Sequence, residues 1–272
     1  MTSDPDKQPS PITVTSLARM KRDGEKIACL TAYDASFAET LESAGVEVLL
    51  VGDSLGNVVQ GRDSTLPVTL SDMIYHAACV SRGSRRALRV VDMPFMTYAD
   101  PAQALAGAAR LMAEGGAQMV KLEGGAVVAD TVRHLVDHGI PVCGHLGLTP
   151  QSVHKLGGYR VQGRDEGGAR RILEDARRLE ECGAGVLVLE CVPAELARTV
   201  SRALSIPVIG IGAGSHCDGQ VLVLYDMLGL TPGRRPRFSK DFLAGRDGVA
   251  GAVQAYVAAV KSGEFPDAEH SY

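Results

Sequence analysis

The feature that most limits what this chain can fold into is an alternation. Short apolar runs rich in β-branched residues lie at 26–32, 46–53, 87–95, 117–124, 140–147, 184–191 and 206–213, with a weaker one at 220–226. Longer stretches with helical spacing separate them. Apolar runs without polar alternation read as strands buried on both faces, and such strands belong to parallel sheets whose crossovers are helices. Several helical stretches end on Gly45, Gly116, Gly139 or Gly183, just before the next run, as a helix C-terminus requires. Ser36 and Glu39 predict a capping box at the start of the first crossover helix. Eight strand–helix units in 272 residues predict an α/β fold of the (β/α)8 TIM-barrel type, with a doubly wound sheet as the alternative because the eighth run is faint. The units share no self-similar sequence, which excludes a solenoid. A helix over 13–24 precedes the first strand, and helical spacing after residue 238 adds one or two terminal helices. The polar, proline-bearing residues 1–12 are expected to be a disordered extension, leaving 13–272 as one barrel domain.

Composition narrows the function. Tryptophan is absent and aromatics make up 4%, so the core must be aliphatic. A formal net charge of −4 gives no basic footprint for nucleic acid. The six cysteines, at 29, 79, 143, 182, 191 and 217, contain no C-x-x-C pair, and four lie in or beside apolar runs as small hydrophobes do. Zinc binding and a disulfide framework are both disfavoured. The N-terminus lacks the basic stretch and apolar core of a signal peptide, and no apolar segment has membrane-spanning length. A cytoplasmic protein is expected.

Barrels of this type carry their active sites at the carboxyl ends of the strands. Read in order, those ends offer Tyr33 and Asp34, then Asp53 and Ser54, Asp92, Lys121 and Glu123, His145 and Glu190, with GIGAG (210–214) closing the seventh. Asp53, Asp92 and Glu123 are carboxylates from three consecutive strands. Brought together, they repel until one takes up a proton or a cation joins them. Hard oxygen donors without a thiolate suit Mg²⁺. Such an ion could hold the keto and carboxylate oxygens of a 2-oxo acid and stabilise an enolate. Lys121, two residues before Glu123, shares its strand face and is placed to neutralise a substrate carboxylate. A Schiff-base role is disfavoured, because neighbouring carboxylates raise a lysine pKa where that chemistry needs it lowered. Glu190, outside the acidic trio and in expected apolar surroundings, is the candidate general base.

Blander readings accompany each residue. Asp34 is expected to be a helix N-cap and Ser54 an N-cap or a substrate contact. Asp53 could cap a turn, Glu123 could simply pair with Lys121, and His145 could be a buried histidine bonded to backbone. The small residues of GIGAG fit either a phosphate cradle or close backbone approach. The long, glycine-rich 147–168 segment reads as a lid.

Taken together, TAYD, VGDSLG, QGRDSTLPVT, DMPF, VKLEGG, PVCGHLGLTPQSV, GGYRVQG, VLECVP and IPVIGIGAG resemble the ketopantoate hydroxymethyltransferase family, from about residue 13 to the EHS near the end. The departures lie in the N-terminal extension and in VHKLGGYR. The resemblance implies a (β/α)8 barrel, one Mg²⁺ per subunit, a homodecamer, and 5,10-methylenetetrahydrofolate as co-substrate with 3-methyl-2-oxobutanoate. It implies Asp53, Asp92 and Glu123 as the metal set, Ser54 and Lys121 as contacts to the oxo acid, and Glu190 as proton acceptor. It also turns GIGAG toward close backbone approach, since the oxo acid carries no phosphate. His145 remains a candidate to orient a ligand or bond the substrate. The alternative on the same residues is a Mg²⁺-dependent aldolase or lyase acting on another 2-oxo acid without folate.

Overall fold

The computed structural model of the chain describes residues 10–272 except positions 232 and 234. Among these residues the strands are β1 (Ile27–Thr31), β2 (Val48–Val51), β3 (Leu88–Asp92), β4 (Met119–Glu123), β5 (Val142–Gly147), β6 (Val186–Glu190), β7 (Val208–Ile211) and β8 (Gly219–Leu222). They pair in chain order, all parallel, and β8 returns to β1 through Ile27↔Gly219 and Leu30↔Leu222. The sheet is a closed (β/α)8 barrel, not a doubly wound sheet.

The helices are α1 (Val14–Arg22), α2 (Ala35–Ser43), α3 (Leu55–Val58), α4 (Leu70–Gly83), α5 (Pro101–Ala113) and α6 (Ala129–Asp137). After them come α7 (Val153–Leu156), α8 (Glu166–Glu181), α9 (Ala194–Ala203), α10 (Leu224–Met227) and α11 (Gly248–Ser262). None is long and apolar enough to cross a membrane. Residues 1–9 of the expected extension lie outside the described residues, and the Ile12 backbone N–H already donates to Arg86 O at 2.7 Å.

One capping box and one strand boundary differ from expectation. The first crossover helix starts on Asp34, whose carboxylate accepts from Phe37 N at 2.9 Å, so Ser36 lies inside α2 and makes no capping box. The eighth strand stops at Leu222. Leu224 N donates to Thr31 Oγ1 at 2.8 Å, and the chain turns there into α10, carrying Tyr225 and Asp226 out of the sheet.

α1 closes the bottom of the barrel. Its Leu17 points up among Cys29, Val48, Val186, Ile209 and Val221, leaving a residual void of about 20 Å³. Lys21 fastens the helix from outside, donating to Ser201 O and Ile206 O at 2.8 Å and pairing with Asp218 at 2.8 Å.

Strand parity decides what lies at the other end. Residues facing the barrel axis recur every second position, so Val90 is followed inward by Asp92, Cys143 by His145 and Val188 by Glu190. On β4 the inward series is Met119, Lys121 and Glu123. The lower inside layers are therefore packed with aliphatic side chains, and the uppermost layer is ionisable.

Candidate active site

Parallel pairing sets the first contacts. Asp92 is the register partner of Lys121, and Glu123 that of His145. Lys121 Nζ reaches Asp92 Oδ1 at 2.6 Å, both side chains buried. Glu123 thus does not pair with Lys121, because the neighbouring strand supplies a closer carboxylate. Burial alone would push the Lys121 ammonium toward neutrality, but Asp92, Glu123 and Asp53 outweigh it and hold its pKa well above the usual lysine value. It stays charged throughout the neutral range, which disfavours a Schiff-base role.

Asp53 and Ser54 follow β2. Asp53 N–H donates to Asp92 Oδ2 at 3.0 Å, which ties the turn after β2 to the end of β3. Burial, then the carboxylates of Asp92 and Glu123, push the Asp53 carboxyl well above its ordinary range against the pull of Lys121 and Gln151. Ser54 precedes α3 without capping it; its hydroxyl sits 2.9 Å from Tyr33 Oη instead.

His145 occupies the centre. Its Nδ1 is 3.3 Å from Glu123 Oε1 and its Nε2 3.3 Å from Glu190 Oε2. Neither nitrogen is aligned for a hydrogen bond, so these are contacts of charge. Burial and the Lys121 ammonium push the imidazole toward neutrality, but the flanking carboxylates outweigh both and lift its pKa to about 9. It is an imidazolium at neutral pH and not a backbone-bonded core histidine. Glu190 accordingly does not sit in the apolar surroundings expected of it. His145 links it to Glu123, and its carboxylate opens on the cleft.

Gln151 and Tyr98 were not legible as site residues. Gln151, buried in the 3₁₀ turn of residues 150–152, donates from Nε2 to Asp53 Oδ2 at 2.8 Å and to Met93 O at 3.0 Å. Its backbone N–H donates to Glu123 Oε2 at 3.0 Å, and Tyr98 Oη donates to its Oε1 at 2.5 Å. One residue therefore joins the ends of β2, β3 and β4. Asp34 is left to its cap. GIGAG serves close approach: a Cβ on Gly214 would lie 2.6 Å from Ala194 Cβ, and one on Gly212 3.0 Å from Phe238.

Above these residues the barrel mouth opens into a cleft of about 960 Å³, lined by Asp53, Ser54 and Glu190 below and by Tyr159 and Tyr272 toward its rim. The ionisable layer sets four carboxylates, Asp53, Asp92, Glu123 and Glu190, against two cations, Lys121 and His145. As placed, no three Asp, Glu, His or Cys side chains among the described residues form a ready ligand cage. Mg²⁺ does not require one: it is usually held through one or two carboxylates, with retained waters and substrate oxygens completing its shell.

Residues 11–268 match the profile of ketopantoate hydroxymethyltransferase. The chain belongs to the ketopantoate hydroxymethyltransferase family. A 3-methyl-2-oxobutanoate hydroxymethyltransferase of Nitrosococcus oceani is 64% identical over 261 residues, covering 96% of this chain and 99% of that one. The enzyme of the same name from Alkalilimnicola ehrlichii is 60% identical over 271 residues, 100% and 98% of the two chains. Among solved structures, 2,3-dimethylmalate lyase, described as a member of the PEP mutase/isocitrate lyase superfamily, aligns with a TM-score of 0.57 at 21% identity over 81% of this chain and 84% of its own. Phosphonopyruvate hydrolase in complex with oxalate and Mg²⁺ aligns at 0.60 and 9% identity, over 77% and 80%. At these identities the likeness is one of fold. The ketopantoate hydroxymethyltransferase family is thus built here on a barrel shape shared with enzymes of other names.

Proposed function

We propose that this chain moves a hydroxymethyl group from 5,10-methylenetetrahydrofolate to 3-methyl-2-oxobutanoate, giving 2-dehydropantoate for pantothenate biosynthesis. The observation that carries the reading is the strand-end set in a chain of this family: Asp53, Asp92, Lys121, Glu123 and His145 buried, with Glu190 partly exposed to the cleft above them.

The site's charge excess and hard oxygen donors fit Mg²⁺, with Asp53 and Asp92 as nearest candidates to hold it and Glu123 beside them. When bound there, the ion supplies Lewis-acid stabilisation of the charge that develops on the oxo acid. The chain's own residues do the rest. Lys121 offers a fixed positive charge to the substrate carboxylate. Ser54, its hydroxyl positioned by Tyr33, faces the cleft as a hydrogen-bonding partner for the oxo acid. Glu190 accepts the C3 proton, with the imidazolium of His145 3.3 Å from its carboxylate. The resulting C3 nucleophile attacks the carrier's methylene carbon in its iminium form, one C–N bond of the bridge having opened and the C=N electron pair passing to the remaining nitrogen. Water then supplies the hydroxyl as tetrahydrofolate leaves. A homodecamer in the cytoplasm is the assembly we expect, and light scattering on the purified protein tests its size.

Proton NMR of 3-methyl-2-oxobutanoate in D₂O tests the chemistry. Mg²⁺-dependent loss of the C3 proton, with a hydroxymethyl product only when the folate is added, is the expected result. Exchange without product under every folate condition favours the folate-independent aldolase or lyase. Neither exchange nor product with both Mg²⁺ and folate present overturns the proposal.

A further inference from the structure

The end of α6 sets His134 and His138 four residues apart, on one face of the helix. The helices of such a barrel run back from the mouth, so this last turn, shortly before β5, lies at the closed end and away from the ionisable layer. His134 is half-buried and His138 exposed. Their ring centres are 4.4 Å apart, with the ring planes inclined at 52°.

One of the two rings is fixed by the backbone. His138 is the C-cap of α6, and its backbone N–H goes to Leu135 O and Val136 O. That leaves His134 O without its usual helical partner, and His138 Nδ1 lies 2.8 Å from it. A carbonyl only accepts, so Nδ1 carries the proton, and in the neutral ring the lone pair belongs to Nε2. No other hydrogen bond engages either ring among the described residues. Anchoring one ring nitrogen on a backbone carbonyl is how proteins orient a histidine whose other nitrogen binds a metal.

Spacing and charge agree with that use. Histidines at i and i+4 on a helix are a metal-binding pair. Two imidazoles bound through nitrogen at about 2.0–2.1 Å to one ion, at a right or tetrahedral angle, hold their ring centres about 4.5–5 Å apart. The pair is already close to that separation. The neighbouring cation, Arg133, reaches Cys182 Sγ at 3.3 Å, and the partial negative charge of a helix C-terminus favours a bound cation. No third Asp, Glu, His or Cys completes a cluster among the described residues, so water fills the remaining positions and the ion stays exchangeable.

We infer that His134 and His138 form a second, external metal site for an imidazole-seeking divalent ion of the Ni²⁺, Cu²⁺ and Zn²⁺ class. Imidazole nitrogen suits these ions, whereas Mg²⁺ takes oxygen, so the pair does not compete for the ion proposed at the barrel mouth.

Cu²⁺ is the probe, because its electron paramagnetic resonance spectrum counts nitrogen ligands. The full chain receives one equivalent of Cu²⁺ with Mg²⁺ in large excess. The parent and H216Q, which alters an exposed histidine between β7 and β8, should both show two nitrogens. H134Q and H138Q should each show one at most and bind Cu²⁺ at least about tenfold more weakly, because the second arm of a chelate acts at high effective concentration. H134Q keeps the backbone carbonyl that His138 holds, so its loss of binding reports coordination and not a frayed helix end. Zn²⁺ should raise the Tm of the parent and H216Q by more than that of H134Q/H138Q, since an ion bound by the folded chain stabilises it. A two-nitrogen signal retained in H134Q/H138Q overturns the site. So does a parent that holds Cu²⁺ through fewer than two nitrogens or not at all, or an equal Zn²⁺ shift in all three proteins.

Discussion

Replacing Gln151 by Met keeps the volume of the side chain and removes its three side-chain hydrogen bonds. The partners left behind are not equivalent. Met93 O is sealed in the core and loses its donor outright. Tyr98 Oη keeps only a long contact with Glu123 N at 3.4 Å. Asp53 Oδ2 borders the cleft and can recruit water. An unsatisfied buried group costs about 1–3 kcal/mol, so the full amount for Met93 O and about 1 kcal/mol for each of the others gives about 3–5 kcal/mol. Because the same amide fixes the turn after β2 against β3, kcat should fall by about 10- to 100-fold, the usual penalty for a loosened catalytic group. Urea unfolding at fixed protein concentration, followed by circular dichroism, gives the first quantity and steady-state product formation the second. A Q151M/Y98F cycle sharpens the test. Both single variants remove the Tyr98–Gln151 bond, so their effects should fall short of additivity by about 1 kcal/mol. Unfolding within about 0.5 kcal/mol of the parent, the range of an ordinary surface change, refutes the bridging role, as does strict additivity in the cycle.

Asp53 gives a test by metal and pH together. Its raised pKa means that the folded state binds a proton more tightly than the unfolded one, so its contribution to stability falls as pH rises from the ordinary carboxylate range through the raised value. At pH 8 without metal, D53N should therefore melt at a higher temperature than the parent. Mg²⁺ should raise the parent's Tm, and EDTA reverse it, with little effect on D53N; scanning calorimetry reads both. Glu42 carries the opposite sign. Burial pushes its carboxyl up, but Ser84 Oγ and the backbone N–H groups of Ala87, Arg86 and Arg85 outweigh burial and hold its pKa below the usual value. Its stabilisation is present above the unfolded glutamate value and lost as pH falls through the lowered one. E42Q should thus cost about 1 kcal/mol at pH 7, after discounting for solvent screening, and progressively less in urea titrations as pH falls through the lowered value. At Gly147 the φ is +92°, and a Cβ would lie 2.2 Å from Glu190 O, whereas Gly139 has φ +79° and open space around it. G139A should cost about 1 kcal/mol of unfolding free energy, whereas G147A should cost more than about 3 kcal/mol and, by displacing the end of β6, remove most turnover.

The barrel was legible because parallel strands buried on both faces must be apolar throughout, and because the chain marks their ends with charge. Asp92, Lys121, Glu123, His145 and Glu190 share a wall for a reason readable from spacing alone: each sits on the inward parity of its strand. What spacing could not reveal was who pairs with whom. Lys121 turns to Asp92 rather than Glu123 because of the register between β3 and β4, a property of two strands and not of either one. Gln151 and Tyr98 lie in loops, where no periodicity points anywhere, and only the folded chain brings them to the strand ends. The expected cap at Asp34 formed and displaced the competing Ser36 box, and the departure of Tyr225 and Asp226 from the sheet was decided by a single hydrogen bond competing with an otherwise plausible pattern.

Leu17 and the helix that carries it stopper one end of the barrel. The layers above it are packed with aliphatic side chains, so the cleft at the mouth is the one doorway to the site among the described residues, and traffic through a single doorway is sequential. On the proposed transferase reading, the small oxo acid must pass before the bulkier folate settles over it, and 2-dehydropantoate must wait until tetrahydrofolate has moved aside. Steady-state kinetics should then show compulsory order, with 2-dehydropantoate competing against the oxo acid alone and tetrahydrofolate acting on the complex already formed. On this view a packed interior far from the chemistry writes the queue at the other end.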